Sequence, residues 1–158
     1  RIREECRQYF TELEISPLKY NSLYRQFRNE GKNLNHLLAW GHARVLEDLL
    51  AVTPCRFAIA DQFSNEKFIL SRLMTRGQKI VLVQTHRAER NIAVAAASIL
   101  ARDRFLSRMG ELSVRFGIEF PKGASAQVIT AARDFAAVHG REALAQVAKL
   151  HFKTIEKF

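Results

Sequence analysis

The sequence predicts an α/β fold, and three observations carry the prediction. Short apolar runs of strand length stand at 55–60 (Cys-Arg-Phe-Ala-Ile-Ala) and 79–84 (Lys-Ile-Val-Leu-Val-Gln). Longer segments around them repeat apolar residues at helical spacing. Glycine or proline punctuates most junctions: Gly31, Pro54, Gly77, Gly117 and Gly140. Strands alternating with helices in this way make an α/β arrangement.

Taken in order, residues 1–10 read as a helix already in progress, and the chain does not begin with Met. Residues upstream are therefore expected to be missing. Residues 11–16, Thr-Glu-Leu-Glu-Ile-Ser, alternate polar and apolar and predict a half-buried strand. Ser16-Pro17 is an N-cap followed by a proline in the first helical position, and Gly31 closes that helix. Asn33 opens a longer helix in which Leu34, Leu37, Leu38, Val45, Leu46, Leu49 and Leu50 recur on one side, and Pro54 ends it. The 55–60 strand comes next, then a helix over 66–75. The 79–84 run is continuously apolar, as in a strand covered on both faces. An alanine-rich helix is expected from about Asn91 to Phe116. Ala93, Ala97 and Ala101 share one face of it, small enough to let it sit close against a sheet. A loop over 118–124 leads to a helix ending at Gly140, and a last helix is expected over 141–152. Only three strands are visible, which is few for a central sheet and again suggests truncation at the N-terminus.

The 158 residues suffice for one domain with a core, and 47% are apolar, ordinary for a soluble globular chain. No apolar run approaches a membrane span, and there is no secretory signal pattern. Cys6 and Cys55 lack metal-ligand or redox spacing and read as free thiols of a reducing cytosol. The net charge of +9, from 25 basic and 16 acidic residues, favours a polyanionic partner, although it is also compatible with plain solubility.

Two acids draw attention. Asp61 directly follows an apolar strand, and the carboxyl ends of strands are where α/β sheets collect ligands. A carboxylate there suits a hard cation such as Mg²⁺. The plainer reading is a loop aspartate that caps the next turn. Glu89 lies between the second strand and the alanine helix; its plainer reading is a favourable contact with the helix dipole. At neighbouring strand ends the two carboxylates would share a site, and a cation would offset their repulsion. Asp103, within the helix, reads as a surface or salt-bridge residue. Lys122-Gly123 precedes a helix, where a glycine loop and a lysine can receive a phosphate, although lone Lys-Gly pairs are common. His86 reads foremost as a loop residue. His36, His42, His139 and His151 have no paired metal spacing, and Trp40 reads as core.

These residues sit in a pattern that resembles the type 2 ribonucleases H, and within them the ribonuclease HIII branch. The matching segments are Asn33-Leu-Asn-His-Leu-Leu-Ala-Trp-Gly-His42, Ala60-Asp-Gln-Phe63, His86-Arg-Ala-Glu89 with Ala93–Arg102, Phe120-Pro-Lys-Gly-Ala124 and Lys149-Leu-His-Phe152. They occur in the family's order over nearly the whole chain. The resemblance implies an RNase H-like fold and a metal-dependent endoribonuclease that hydrolyses the RNA strand of RNA/DNA hybrids, using Mg²⁺ or Mn²⁺ held by four carboxylates. It implies Asp61 as the third carboxylate and Glu89 as the fourth, with Lys122 and Gly123 contacting substrate. The family's first two acids, an adjacent Asp-Glu, have no counterpart here, nor does the N-terminal hybrid-binding domain. Glu89 also stands one residue closer to Ser98 than the family spacing.

Residues 1–158 are thus expected to be part of an RNase H-like catalytic domain, cytoplasmic, without a membrane or an obligate protein partner, and inactive on hybrids when alone. Two alternatives stand beside this: a non-catalytic basic nucleic-acid-binding module, and an α/β protein that binds a small phosphorylated ligand near Lys122.

Overall fold

The computed structural model describes residues 1–152. In chain order the elements are α1 (Ile2–Glu5), α2 (Pro17–Asn29), α3 (Leu34–Val52), β1 (Phe57–Asp61), α4 (Lys67–Leu70), β2 (Val81–Thr85), α5 (Ile92–Phe116) and α6 (Ala126–His139). Short 3₁₀ turns occupy Gly77–Lys79, Ala88–Arg90 and Arg141–Gln146. The mixed helix and strand content, with a small parallel sheet, is the expected α/β class.

The backbone contacts divide the described residues into two compact units, one made of residues 1–14 and 30–103, the other of 15–29 and 104–152. In the first, β1 and β2 pair in parallel, with Phe57 opposite Val81 and Asp61 opposite Thr85. Parallel neighbours need a long crossover, and residues 62–80 supply it through α4 and the 3₁₀ turn. The core lies on one face of this pair: Ala39 and Ala43 of α3, Ala60 of β1, Ile69 of α4, and Leu73, with Leu46, Phe63, Phe68 and Leu82 packed against them. The small residues at 39 and 43, one turn apart, let α3 lie close over the strand and the loop beyond it.

Five expectations are corrected. Among the described residues the sheet has two strands, not three. Residues 11–16 form no ladder; Glu12 instead bonds Arg3 at 2.7 Å, and Leu13 lies over Gly41 of α3. Their alternation reflects side-chain packing without a strand to pair with. The second strand is not covered on both faces here: Phe57, Ile59, Val81 and Val83 are exposed on the face away from the core. Ala93, Ala97 and Ala101 are also exposed; in this part of α5 Leu100 is buried, and Val94, Ala95 and Ala96 are half-buried. Asp103 is a salt-bridge residue as read, 3.0 Å from Arg3. The helices expected over 66–75 and 141–152 are shorter, the first ending at Leu70 and the second being a 3₁₀ turn.

Glu47 explains why the first of these helices stops. This buried carboxylate of α3 accepts the backbone N–H groups of Met74 (2.7 Å), Arg76 (3.1 Å) and Gly77 (2.7 Å). Those groups would otherwise need helical partners, so the chain turns here and enters β2. A Cβ at residue 77 would lie 2.7 Å from the Glu47 carboxylate and 2.7 Å from Leu73, so only glycine fits.

In the second unit Asn21 is the central polar contact. Its amide donates to the carbonyls of Ala145 (3.1 Å) and Ala148 (2.8 Å) and accepts the Leu150 N–H (2.9 Å), fastening the segment after α6 to α2. Phe135 is fully buried and meets Phe116, Phe120 and His139 ring to ring. His151 packs against Tyr24 (4.7 Å), Tyr20 (5.4 Å) and Phe152 (4.1 Å), with both ring nitrogens buried and without a hydrogen bond. Burial foremost, and the Lys149 charge second, hold its pKa below the ordinary value. Burial likewise pushes the Tyr20 hydroxyl up to about 12.

Two outcomes are expected. Glu47→Ala leaves three N–H groups without an acceptor and should destabilise the protein by about 3 kcal/mol, measured by denaturant unfolding. The His151 contribution runs with pH. Its folded pKa lies below the unfolded value of about 6.5, so the stabilisation is complete above that value and is lost as pH falls through the folded pKa. Thermal melts from pH 7.5 to 5 should show a steeper loss of stability for the wild type than for His151→Phe.

Candidate metal centre

Asp61 is the last residue of β1 and faces Thr85, the last of β2. The ladder continues one step further, with the Gln62 N–H donating to the Thr85 carbonyl at 3.1 Å. The chain after β2 then folds back. Arg87 takes the left-handed conformation (φ 55°, ψ 44°), the one non-glycine residue with positive φ among the described residues. This reversal brings the Ala88 N–H to the Asp61 Oδ1 at 3.2 Å. Glu89 comes next in the 3₁₀ turn, exposed like Asp61. One hydrogen bond thus ties the backbone beside Glu89 to the Asp61 carboxylate.

Asp61 caps the turn after β2 through the Ala88 N–H, and the flanking turns have caps of their own. The turn after β1 is capped by Asn65, whose Oδ1 accepts the Lys67 N–H at 2.9 Å, and Asp61 takes no part in it. The start of α5 is capped by Asn91, whose side chain accepts the Ala93 N–H at 3.0 Å, and Glu89 lies before the helix. Neither carboxylate forms a salt bridge with Lys or Arg among the described residues. Asp61 at the end of β1 and Glu89 in the turn after β2 carry the hard oxygen donors that Mg²⁺ and Mn²⁺ take. Among the described residues no group of three or more His, Cys, Asp or Glu gathers. The donor type fits a divalent cation.

His42, which carried no metal spacing in the sequence, also belongs to this neighbourhood. Its ring stacks on Phe63 at 5.0 Å, two residues beyond Asp61. The ring keeps an exposed side, yet the protein packed around it lowers its pKa, while the Asp61 charge acts in the opposite sense. The segment 33–42 itself gives no sequence signal for this contact, because the link is made across the fold. Lys122 and Gly123 lie in the second unit, both exposed, in the loop before α6, with Gly123 at φ +97°.

The described helices include none long and apolar enough to cross a membrane. The family model described as ribonuclease HII matches residues 5–155, and the chain belongs to that family. Within it the likeness is to ribonuclease HIII. Ribonuclease HIII of Protochlamydia amoebophila is 44% identical over 144 residues, covering 91% of this chain and 46% of its own length. That of Chlamydia abortus is 47% identical over 143 residues, covering 89% and 46%. The crystal structure of Bst-RNase HIII in complex with Mn²⁺ matches with a TM-score of 0.76 at 32% identity, over 90% of this chain and 47% of that one. Aquifex aeolicus RNase H3 gives 0.63 at 30%, over 87% and 47%. The fold is thus the RNase H-like one, and the chain spans about half the length of the curated relatives it matches.

The left-handed turn at Arg87 has a backbone consequence that can be separated from its charge. Arg87→Gly should leave stability nearly unchanged, whereas Arg87→Val should cost about 1–2 kcal/mol relative to glycine, because a β-branched residue resists positive φ. Denaturant unfolding of the two variants checks this.

Proposed function

We propose that these residues are part of the catalytic domain of an endoribonuclease that hydrolyses the RNA strand of RNA/DNA hybrids with Mg²⁺ or Mn²⁺. The observation that carries the reading is Asp61 at the end of β1, its carboxylate bonded by the Ala88 N–H of the turn that also carries Glu89. Membership of the ribonuclease HII family and the Mn²⁺ complex of the similar Bst-RNase HIII support the same conclusion. Asp61 and Glu89 would hold the cation, with further carboxylates coming from the part of the relatives' length that this chain does not span. When bound there, the cation would supply an activated water and stabilisation of the leaving oxygen for phosphodiester hydrolysis. The work of this chain's own residues is positional: β1 and β2 fix Asp61, and the 3₁₀ turn at Ala88–Arg90 fixes the backbone beside Glu89.

The substrate reading uses the charge of +9, which suits a polyanion, and the exposed Lys122-Gly123 loop as a phosphate contact. A cytoplasmic site of action accords with an enzyme of nucleic acids. With only two of the acids present, residues 1–158 alone should not cleave.

Asp61→Asn in the full-length protein should abolish cleavage of a labelled hybrid in Mg²⁺ or Mn²⁺ while leaving the circular dichroism spectrum unchanged. Residues 1–158 by themselves serve as the uncatalysed control. Full cleavage by the variant would instead favour a non-catalytic role for this segment. Lys122→Ala should weaken hybrid binding and lower the slope of log K against log salt by about one unit, read by fluorescence anisotropy at several salt concentrations.

A further inference from the structure

We infer that the first half of α3 is a cradle that positions Asp61, with His42 as its key positioning residue. The inference rests on the metal-site reading above and assigns a role to residues 33–42, which that reading leaves unused.

Asp61 sits at a strand end, and β2 holds the segment beyond it at two points, the Gln62 N–H on the Thr85 carbonyl at 3.1 Å and the Gln84 amide on the Glu66 carbonyl at 2.9 Å. The stretch between those points, and the start of α4, meet α3. Three side chains of α3 reach this segment, one after another. The Asn35 amide donates to the Ser64 hydroxyl at 2.9 Å. The His36 ring meets Phe68 edge-on at 4.6 Å, and His36 is itself oriented by the Asn33 N–H donating to its Nδ1 at 3.3 Å. His42 lies flat on Phe63 at 5.0 Å. Between these contacts Ala39 and Ala43 are buried against Phe63, Phe68 and Ala60, so the helix face has room for the loop.

The three contacts differ in what they control. Asn35 and His36 hold the far part of the segment, at residues 64 and 68. His42 holds Phe63, two residues along the chain from Asp61. The Thr85 carbonyl holds Gln62 and the Ala88 N–H holds Asp61 from the β2 side, and Phe63 is the nearest point to them that α3 holds, so releasing it would loosen this end of the segment more than releasing Ser64 or Phe68 would. Groups that orient a metal ligand affect metal affinity without touching the metal.

The test uses the full-length protein with His42→Ala, His42→Phe and Asp61→Asn. In the metal-free state, hydrogen exchange of peptides covering 62–68 should quicken several-fold in His42→Ala and stay near wild type in His42→Phe, which keeps the stacked ring. Titration calorimetry with Mn²⁺ should show about a ten- to hundredfold weaker dissociation constant for His42→Ala and recovery for His42→Phe. The KM for the hybrid should not move, and the Mn²⁺ needed for half-maximal cleavage should rise. Should His42→Ala fail to fold, Phe63→Leu removes the same stacking from the loop side and carries the same expectations. Wild-type exchange and wild-type Mn²⁺ affinity in His42→Ala, with Mn²⁺ binding lost in Asp61→Asn, would overturn the cradle alone. Unchanged Mn²⁺ affinity in Asp61→Asn would overturn the metal-site reading and the inference with it.

Discussion

The parallel pairing of β1 with β2 is the constraint on which the rest of the first unit depends. Its register puts Asp61 opposite Thr85, so both strands end at the same level. That alignment lets the chain after Thr85 turn back and place the Ala88 N–H on the Asp61 carboxylate. A register slip of one residue would turn Asp61 to the opposite face of the sheet and bury a charge among Ala39, Ala43 and Ile69. The apolar residues of the inner face and the exposed acid at the strand end therefore specify each other.

The pairing is held from its other end by Glu47. A buried carboxylate is costly unless it is well bonded. Here three backbone N–H groups of the turn before β2 satisfy it, and they are the groups that fix where β2 begins. One side chain of α3 thus sets the start of the strand, while others on the same helix contact the loop after β1. The second unit uses a neutral analogue of the same device: Asn21 satisfies three backbone groups of the segment after α6. In both units a polar side chain on a helix determines the course of an irregular segment.

Much of the fold was legible because it is written in local chemistry. Asn33 before an apolar helix, Pro17 in a first turn, and glycines at 31, 117 and 140 with positive φ mark element ends that any neighbour would respect. The strands at 57–61 and 81–85 came within two residues of the apolar runs that announced them. The alternation at 11–16 misled, because period two records which side chains are buried and not whether a partner strand exists. The alanines misled for a related reason. Small residues permit close packing but do not say where it happens, and the close approach within the first unit uses Ala39 and Ala43 rather than Ala93, Ala97 and Ala101.

What the sequence determined by itself is the α/β class, the position of Asp61 at a strand end, the place of Glu89 before α5, and the family, since all of these come from residues close together in the chain or from ordered motifs. What only the tertiary structure decided is which groups meet. The Ala88 N–H reaches Asp61 across 27 positions, Glu47 reaches Gly77 across 30, and His42 reaches Phe63 through ring stacking. Contacts of this kind depend on strand register and helix placement, which are set by the sum of many weak packing terms over the whole unit. No single stretch of sequence encodes that sum, so a histidine without a motif became legible only once the helix that carries it had been laid against the loop.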